Sequence, residues 1–148
     1  MKRTPLKRRT PLRAAAQLVA RKQTKRNTRR EGVPADTRVL LWARSKGRCE
    51  VCEIDLTGPV PVPISAHHRL PRQAGGDRRP DVHSPANLLL LCGTGTTGCH
   101  GDIERNRSWA YERGYLVHRG LEPAEVPVRM HGRTWLLLPD GSLREVAT

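Results

Sequence analysis

The sequence predicts an α+β fold, and three features of it predict that class. A helix-period stretch opens the folded region, strand-type runs close it, and two local cysteine pairs lie between them. Asp36–Ser45 carries apolar residues at Val39, Leu40, Trp42 and Ala43, a spacing that suits one face of a helix. Gly47 supplies the stop. At the other end, Tyr115–Val117, Pro127–Met130, Thr134–Leu138 and Leu143–Val146 read as strands. His131-Gly132 and Pro139-Asp140-Gly141 are turn sequences separating the last three.

The segments in between follow in order. Cys49-Glu-Val-Cys52 comes directly after the first helix, in a turn of the kind a zinc knuckle uses. Residues 53–66 are rich in Pro and β-branched residues and predict an extended segment. Residues 72–86 are rich in Gly, Pro and charge and predict a loop. Asn87–Leu91 is a short apolar run that ends in Cys92, and Gly93–Gly98 leads from there to Cys99 and His100. Gly101–Arg113 predicts a helix with Ile103, Trp109 and Ala110 on its buried side.

A chain of 148 residues with no Phe and 3% aromatics can bury only a modest core. Domains of that kind commonly need a metal, a disulfide or a partner. The formal net charge of +13 is unevenly spread. Residues 1–30 hold 12 Lys and Arg and no acid, which leaves 15 basic residues against 14 acids in the remainder. A detached basic arm points to a polyanion, usually nucleic acid. The segment KRTPL at 2–6 recurs as RRTPL at 8–12, and the region predicts disorder, with a helix across 13–24 open to it on contact with DNA. No run approaches the roughly 18 apolar residues of a membrane span, and none has the length of a signal-peptide core. The expectation is a cytoplasmic protein with no membrane partner, in a compartment where thiols stay reduced.

In that setting four cysteines favour a metal over disulfides. Cys49-x2-Cys52 and Cys92-x6-Cys99 are separated by 39 residues, and four thiolates form a closed, structural zinc set. Four unrelated buried cysteines are the plainer alternative. A redox pair at Cys49 and Cys52 is a further one, although no βαβ pattern surrounds it.

Between the cysteine pairs lie Ala66-His67-His68-Arg69 and then Asn87, and His100 follows the last cysteine. The order His, Asn, His inside two Cys pairs resembles the HNH endonuclease family, above all its zinc-containing subgroup from tailed bacteriophages. The matching pieces are RCEVC, AHHRLPR, GG, NLLLLC and CH, within Arg48–Arg107. The resemblance implies a ββα-metal core in which two strands, a loop and a helix clasp one divalent cation. It implies a DNA endonuclease that hydrolyses phosphodiester bonds. It matches His68 to the general base, His67 and His100 to ligands of the catalytic metal (Mg²⁺, Mn²⁺, Ni²⁺ or Zn²⁺), and Asn87 to the residue that braces the loop and orients the base. It also implies DNA as substrate, and phage terminase or portal proteins as partners in the host cytoplasm.

The chemistry suits those types. A neutral imidazole near pH 7 can take a proton from water. A cation held by few protein ligands keeps positions open for phosphate. Adjacent strand residues point to opposite faces, so His67 and His68 should have different roles, and the residues alone do not say which is which. Arg69, Arg72 and the tail residues Lys2, Arg3, Lys7, Arg8 and Arg9 are the candidate nucleic-acid contacts, with a surface salt bridge the equal alternative for Arg69 and Arg72 and a solubilising or expression-related tail the plainer reading of the rest. Glu104 shares a helix face with His100, where it is either a further ligand or a solvated glutamate, the latter being the simpler reading. His83, His118 and His131 read as ordinary loop or strand residues. The expected organisation is a basic tail over 1–32, a nuclease domain over 33–117 and a C-terminal β extension over 118–148 packed on it. A zinc-stabilised DNA-binding module without activity is the alternative. It would need the cysteines and the tail but not His68 or Asn87. A thiol-redox protein is a third, and would need a reactive cysteine without zinc.

Overall fold

The computed structural model describes residues 32–72 and 79–147. Lys2, Arg3, Lys7, Arg8 and Arg9, the expected disorder of the tail, the candidate helix across 13–24 and part of the 72–86 loop lie outside the described residues.

Helix α1 spans Ala35–Ser45, with Asp36 in its first turn, where a carboxylate complements the N-terminal dipole. It ends in a left-handed cap at Lys46, followed by Gly47 with φ +73°. Of the expected apolar face, Trp42 packs against the core as expected, and the rest is corrected. Val39 is 65% exposed and Leu40 37%, while the buried stripe is Leu41, Arg44 and Ser45. These residues are three and four positions apart, as one helix face requires. A pattern of apolar residues could not reveal a stripe that includes a buried arginine.

Residues 48–55 then turn back on themselves. The Cys49 N–H donates to the Ile54 carbonyl at 3.0 Å and the Glu53 N–H to the Cys49 carbonyl at 2.9 Å. The expected extended segment 53–66 is extended only at its end, where strand β1 spans Ile64–His68. A 3₁₀ turn at Pro85–Asn87 leads into strand β2, Leu88–Cys92. The two strands pair antiparallel, with Ile64 opposite Cys92, His67 opposite Leu89 and His68 opposite Leu88. Leu88, Leu89, Leu90 and Leu91 are all buried, because β2 is in contact with both α1 and helix α2, Gly98–Arg105. A strand covered on both faces reads as a continuous apolar run rather than an alternating one.

The expected helix 101–113 is two helices. α2 starts earlier, so that Cys99 and His100 lie in its first turn, and it stops at Asn106, with φ −114° and ψ 61°. Helix α3 spans Arg107–Glu112. The expected strand Tyr115–Val117 is absent, although all three residues are buried. The Tyr115 and Leu116 N–H groups both return to the Ala110 carbonyl, and only the Val117 N–H reaches β1's end, at the Arg69 carbonyl, 2.7 Å. The C-terminal strands form as expected within a residue or two: β3 Val128–Met130, β4 Arg133–Leu137 and β5 Leu143–Glu145, an antiparallel sheet in that order. His131 and Gly132 both take positive φ, as a two-residue hairpin turn demands. Val128, Met130 and Leu137 belong to the same buried cluster as Leu41, Leu89 and Ile103, so the C-terminal sheet shares the core of residues 33–117. No helix among the described residues is long and apolar enough to cross a membrane.

Candidate metal centres

The four cysteines converge. Cys49 and Cys52 come from the 48–55 turn, Cys92 from the end of β2 and Cys99 from the first turn of α2. Their Sγ atoms all lie within 4.8 Å of one another, and Cys52 Sγ and Cys92 Sγ are 3.7 Å apart. Thiolates about 2.3 Å from a tetrahedral zinc sit about 3.8 Å from each other, so the set can hold a zinc ion. Its donor chemistry fits as well. Burial pushes the Cys49 thiol up, but backbone N–H groups of Cys52, Cys92 and Val51 outweigh it and hold the thiol below its ordinary value. Burial, with hydrogen bonding from Cys52, pushes Cys99 well up, so the cluster favours protons or a cation over four bare thiolates.

The wide second pair depends on a tight loop. A Cβ on Gly93, whose φ is +88°, would lie 2.0 Å from the Thr97 carbonyl oxygen. One on Gly101 would lie 2.5 Å from the Thr96 carbonyl carbon. Glycine at both positions lets the loop fold back on itself and onto α2, so that Cys99 returns to Cys92.

A second cluster joins β1 to α2. One ligand atom each from His67, His100 and Glu104 lies within 4.8 Å of the others. Glu104 Oε1 is 4.0 Å from His67 Nδ1 and 4.0 Å from His100 Nε2. His67 is buried, and its Nε2 lies 3.2 Å from the Tyr115 carbonyl. A carbonyl can only accept, so Nε2 carries the proton and Nδ1 presents a lone pair to the cluster. Burial, with repulsion from His100, lowers the His67 pKa to about 3, which keeps the ring neutral and able to ligate near pH 7. Burial also lowers His100, partly offset by Glu104. Glu104 Oε2 meanwhile accepts from Arg107 at 3.1 Å.

His68 lies apart from this cluster. It is half-buried, and its Nε2 is 3.2 Å from His83 Nδ1. Asn87 is buried and braces the neighbouring segments. Its Oδ1 accepts from the Leu70 N–H at 2.8 Å and its Nδ2 donates to the Val82 carbonyl at 3.0 Å.

Arg69 is a correction. Both a phosphate contact and a surface salt bridge require an exposed side chain, but Arg69 is 0% exposed. Its guanidinium donates to the carbonyls of Gly114, Ala86, Pro123 and Val126, at 2.7–3.0 Å. Those four bonds tie β1's end to the 3₁₀ turn and to the chain before β3, and the group is not available to a phosphate. Arg72 is exposed. Glu104, left open as a ligand or a solvated glutamate, lies beside His67 and His100 and also pairs with Arg107, and His83 lies in a turn. The i, i+4 spacing of His100 and Glu104 is the available signal for the first.

No family model, curated protein or solved structure matches the chain.

Proposed function

We propose that the chain is a metal-dependent DNA endonuclease of the HNH type that hydrolyses phosphodiester bonds with His68 as general base. The observation that carries this reading is the convergence of His67, His100 and Glu104 within 4.8 Å, one residue along β1 from His68. The strand–strand–helix order of β1, β2 and α2 supports reading the region as a ββα-metal core. His67 Nδ1, His100 and Glu104 would hold one divalent cation: Mg²⁺, Mn²⁺, Ni²⁺ or Zn²⁺. When bound, such a cation neutralises charge on the phosphate and keeps coordination positions open. The chain's own groups do the rest. His68 takes a proton from water, the water oxygen forms the new bond to phosphorus, and the ester P–O bond opposite it breaks, its oxygen leaving with the electron pair and taking a proton from solvent to become the free hydroxyl. Asn87 holds the surrounding loop and does not titrate. The four-cysteine centre is closed, so it contributes folding rather than chemistry.

The basic tail, with Lys2, Arg3, Lys7, Arg8 and Arg9, and the exposed Arg72 would supply non-specific phosphate contacts. The partners implied by the resemblance, a phage terminase or portal protein in the host cytoplasm, belong to the same reading.

The test is incubation of supercoiled plasmid with the protein and each cation in turn, against EDTA. Cleavage should need the cation, and His68→Ala should lower it about 10²–10⁴-fold, the usual contribution of a general base. Binding without any cation-dependent cleavage would sink the nuclease reading in favour of a zinc-stabilised DNA-binding module.

A further inference from the structure

We propose that Arg107 holds a DNA phosphate beside the cluster of His67, His100 and Glu104 and offsets the charge that builds on it during cleavage. The inference deepens the nuclease reading and rests on it. Glu104 stands between the arginine and the two imidazoles. Its Oε1 lies 4.0 Å from His67 Nδ1 and 4.0 Å from His100 Nε2, and its Oε2 accepts from Arg107 Nη1 at 3.1 Å. The guanidinium is therefore one carboxylate away from the other candidate ligands.

Arg107 is held there without being used up. Its Nη2 donates to the Tyr111 hydroxyl at 3.3 Å, and its guanidinium carbon lies 5.8 Å from the centre of that ring. The Tyr111 ring stacks in turn on His118, with centroids 4.0 Å apart and planes at 8°. His118 follows Val117, whose N–H is bonded to the Arg69 carbonyl at the end of β1. The arginine is thus tied to α2 through Glu104, and through two rings to the segment bonded to the strand that carries His67. A guanidinium has five N–H donors in a flat fork. Among the described residues, Glu104 and Tyr111 take two of them, and the side chain is 45% exposed, so three remain for a ligand arriving from solvent.

That ligand has to be an anion. A positive charge next to a cation-binding carboxylate opposes the cation, so an arginine that did no more than neutralise Glu104 would weaken the site. A phosphodiester reverses the balance, because it brings negative charge to both. The planar fork also matches two phosphate oxygens, which an ammonium cannot do. Cleavage then adds charge. As the water oxygen bonds to phosphorus, the non-bridging oxygens become more negative, and a donor already in place stabilises that state more than the starting ester. Arg107 should therefore act on binding and on rate.

The experiment compares zinc-loaded wild type, His68→Ala, Arg107→Ala, Arg107→Lys and Arg133→Ala, the last at an exposed arginine of β4. Binding to a short duplex is titrated at several salt concentrations without added divalent cation. Plasmid cleavage is measured at saturating DNA with the cation, and Mn²⁺ affinity by calorimetry. Arg107→Ala should bind DNA about tenfold more weakly, the lower end for a hydrogen bond to a charged group, because the side chain is half in solvent. Its salt slope should be shallower by about 1. Its cleavage rate should fall about 10²-fold, the lower end of what one donor to a developing oxyanion contributes. Arg107→Lys should keep the slope and recover only part of the rate. Arg133→Ala should match wild type in rate. Mn²⁺ affinity should hold or rise in Arg107→Ala, since a repelling charge has gone; a fall there with wild-type DNA binding would make Arg107 a brace for Glu104 and overturn the proposal. Wild-type cleavage in Arg107→Ala overturns it too. If wild type does not cleave, or His68→Ala cleaves normally, the nuclease reading itself has failed. The binding comparison then decides alone, and equal salt slopes for wild type and Arg107→Ala overturn the phosphate contact.

Discussion

Arg44 and Glu50 form an ion pair inside the core. Arg44 Nε meets Glu50 Oε1 at 2.7 Å and Nη2 meets Oε2 at 2.9 Å, with both side chains almost fully buried. The pair links three elements. Arg44 also donates to the carbonyls of Pro85 and Leu88, at 2.8 and 2.7 Å, and Glu50 accepts from the Leu90 N–H at 2.7 Å. α1, the cysteine turn and β2 are thereby locked in one register, which puts Cys49 beside Cys92.

Glu50→Leu should destabilise the protein by about 3–5 kcal/mol, because it leaves a buried guanidinium without its counter-charge. The double variant Arg44→Met with Glu50→Leu should be less damaged than Glu50→Leu alone, since it removes the stranded charge. Urea unfolding of the three proteins at matched zinc loading measures this. A loss below about 1 kcal/mol for Glu50→Leu would place the pair in the class of surface ion pairs and refute the role given to it.

Zinc should copurify at about one ion per chain, and Cys92→Ala should lose both the ion and much of the fold. Structural zinc contributes folding free energy directly, roughly 10–16 kcal/mol in zinc-finger peptides. Elemental analysis of protein purified without added metal is the measurement, followed by thermal unfolding with and without a chelator. A well-folded preparation free of zinc would refute the assignment of Cys49, Cys52, Cys92 and Cys99.

Glu104→Ala should weaken binding of a second divalent cation while leaving the zinc in place. The side chain reaches His67 and His100 with one oxygen and Arg107 with the other, so the substitution removes a proposed ligand and leaves Arg107 with Tyr111. Losing even an indirect contact to a metal ligand costs about 10- to 100-fold in affinity, so losing a direct ligand should cost at least about tenfold. Calorimetric titration of zinc-loaded protein with Mn²⁺ or Ni²⁺ gives the number. Equal affinity in wild type and variant would remove Glu104 from the site.

The legible parts of this molecule are those whose chemistry is local. Four cysteines in two short-range pairs mark a set that could hold a zinc ion, and they do converge. Four consecutive leucines at 88–91 announce a buried segment. The proximity of His100 and Glu104 is legible because their spacing is one helical turn. The illegible parts depend on partners distant along the chain. Arg69 looks like a phosphate contact until the carbonyls of Gly114, Pro123 and Val126 arrive around it, more than forty residues later. Arg44 breaks the apolar pattern of α1 for the same reason, because besides the nearby Glu50 its guanidinium needs the carbonyls of Pro85 and Leu88, more than forty residues on. Tyr115–Val117 has strand composition, yet it makes only one main-chain hydrogen bond toward the end of β1.

Deleting residues 1–30 should weaken DNA binding and flatten its salt dependence while sparing the chemical step. Those residues hold 12 of the 27 Lys and Arg and no acid, so they carry nearly all of the +13 net charge. None of the proposed ligands lies among them. Each phosphate neutralised on duplex DNA contributes roughly −0.9 to the slope of log K against log salt, so engagement of about half the 12 basic groups makes the slope shallower by roughly 5 on truncation. The segment offers no evident reader of base edges, so the loss should be similar for unrelated sequences. At low salt and saturating DNA the cleavage rate should change little, because His68, His67, His100 and Glu104 are untouched. Titrating full-length and truncated protein against one duplex at several salt concentrations measures the slope, and single-turnover cleavage measures the chemistry. An unchanged slope would mean that the folded region holds DNA alone and that the basic segment serves another partner.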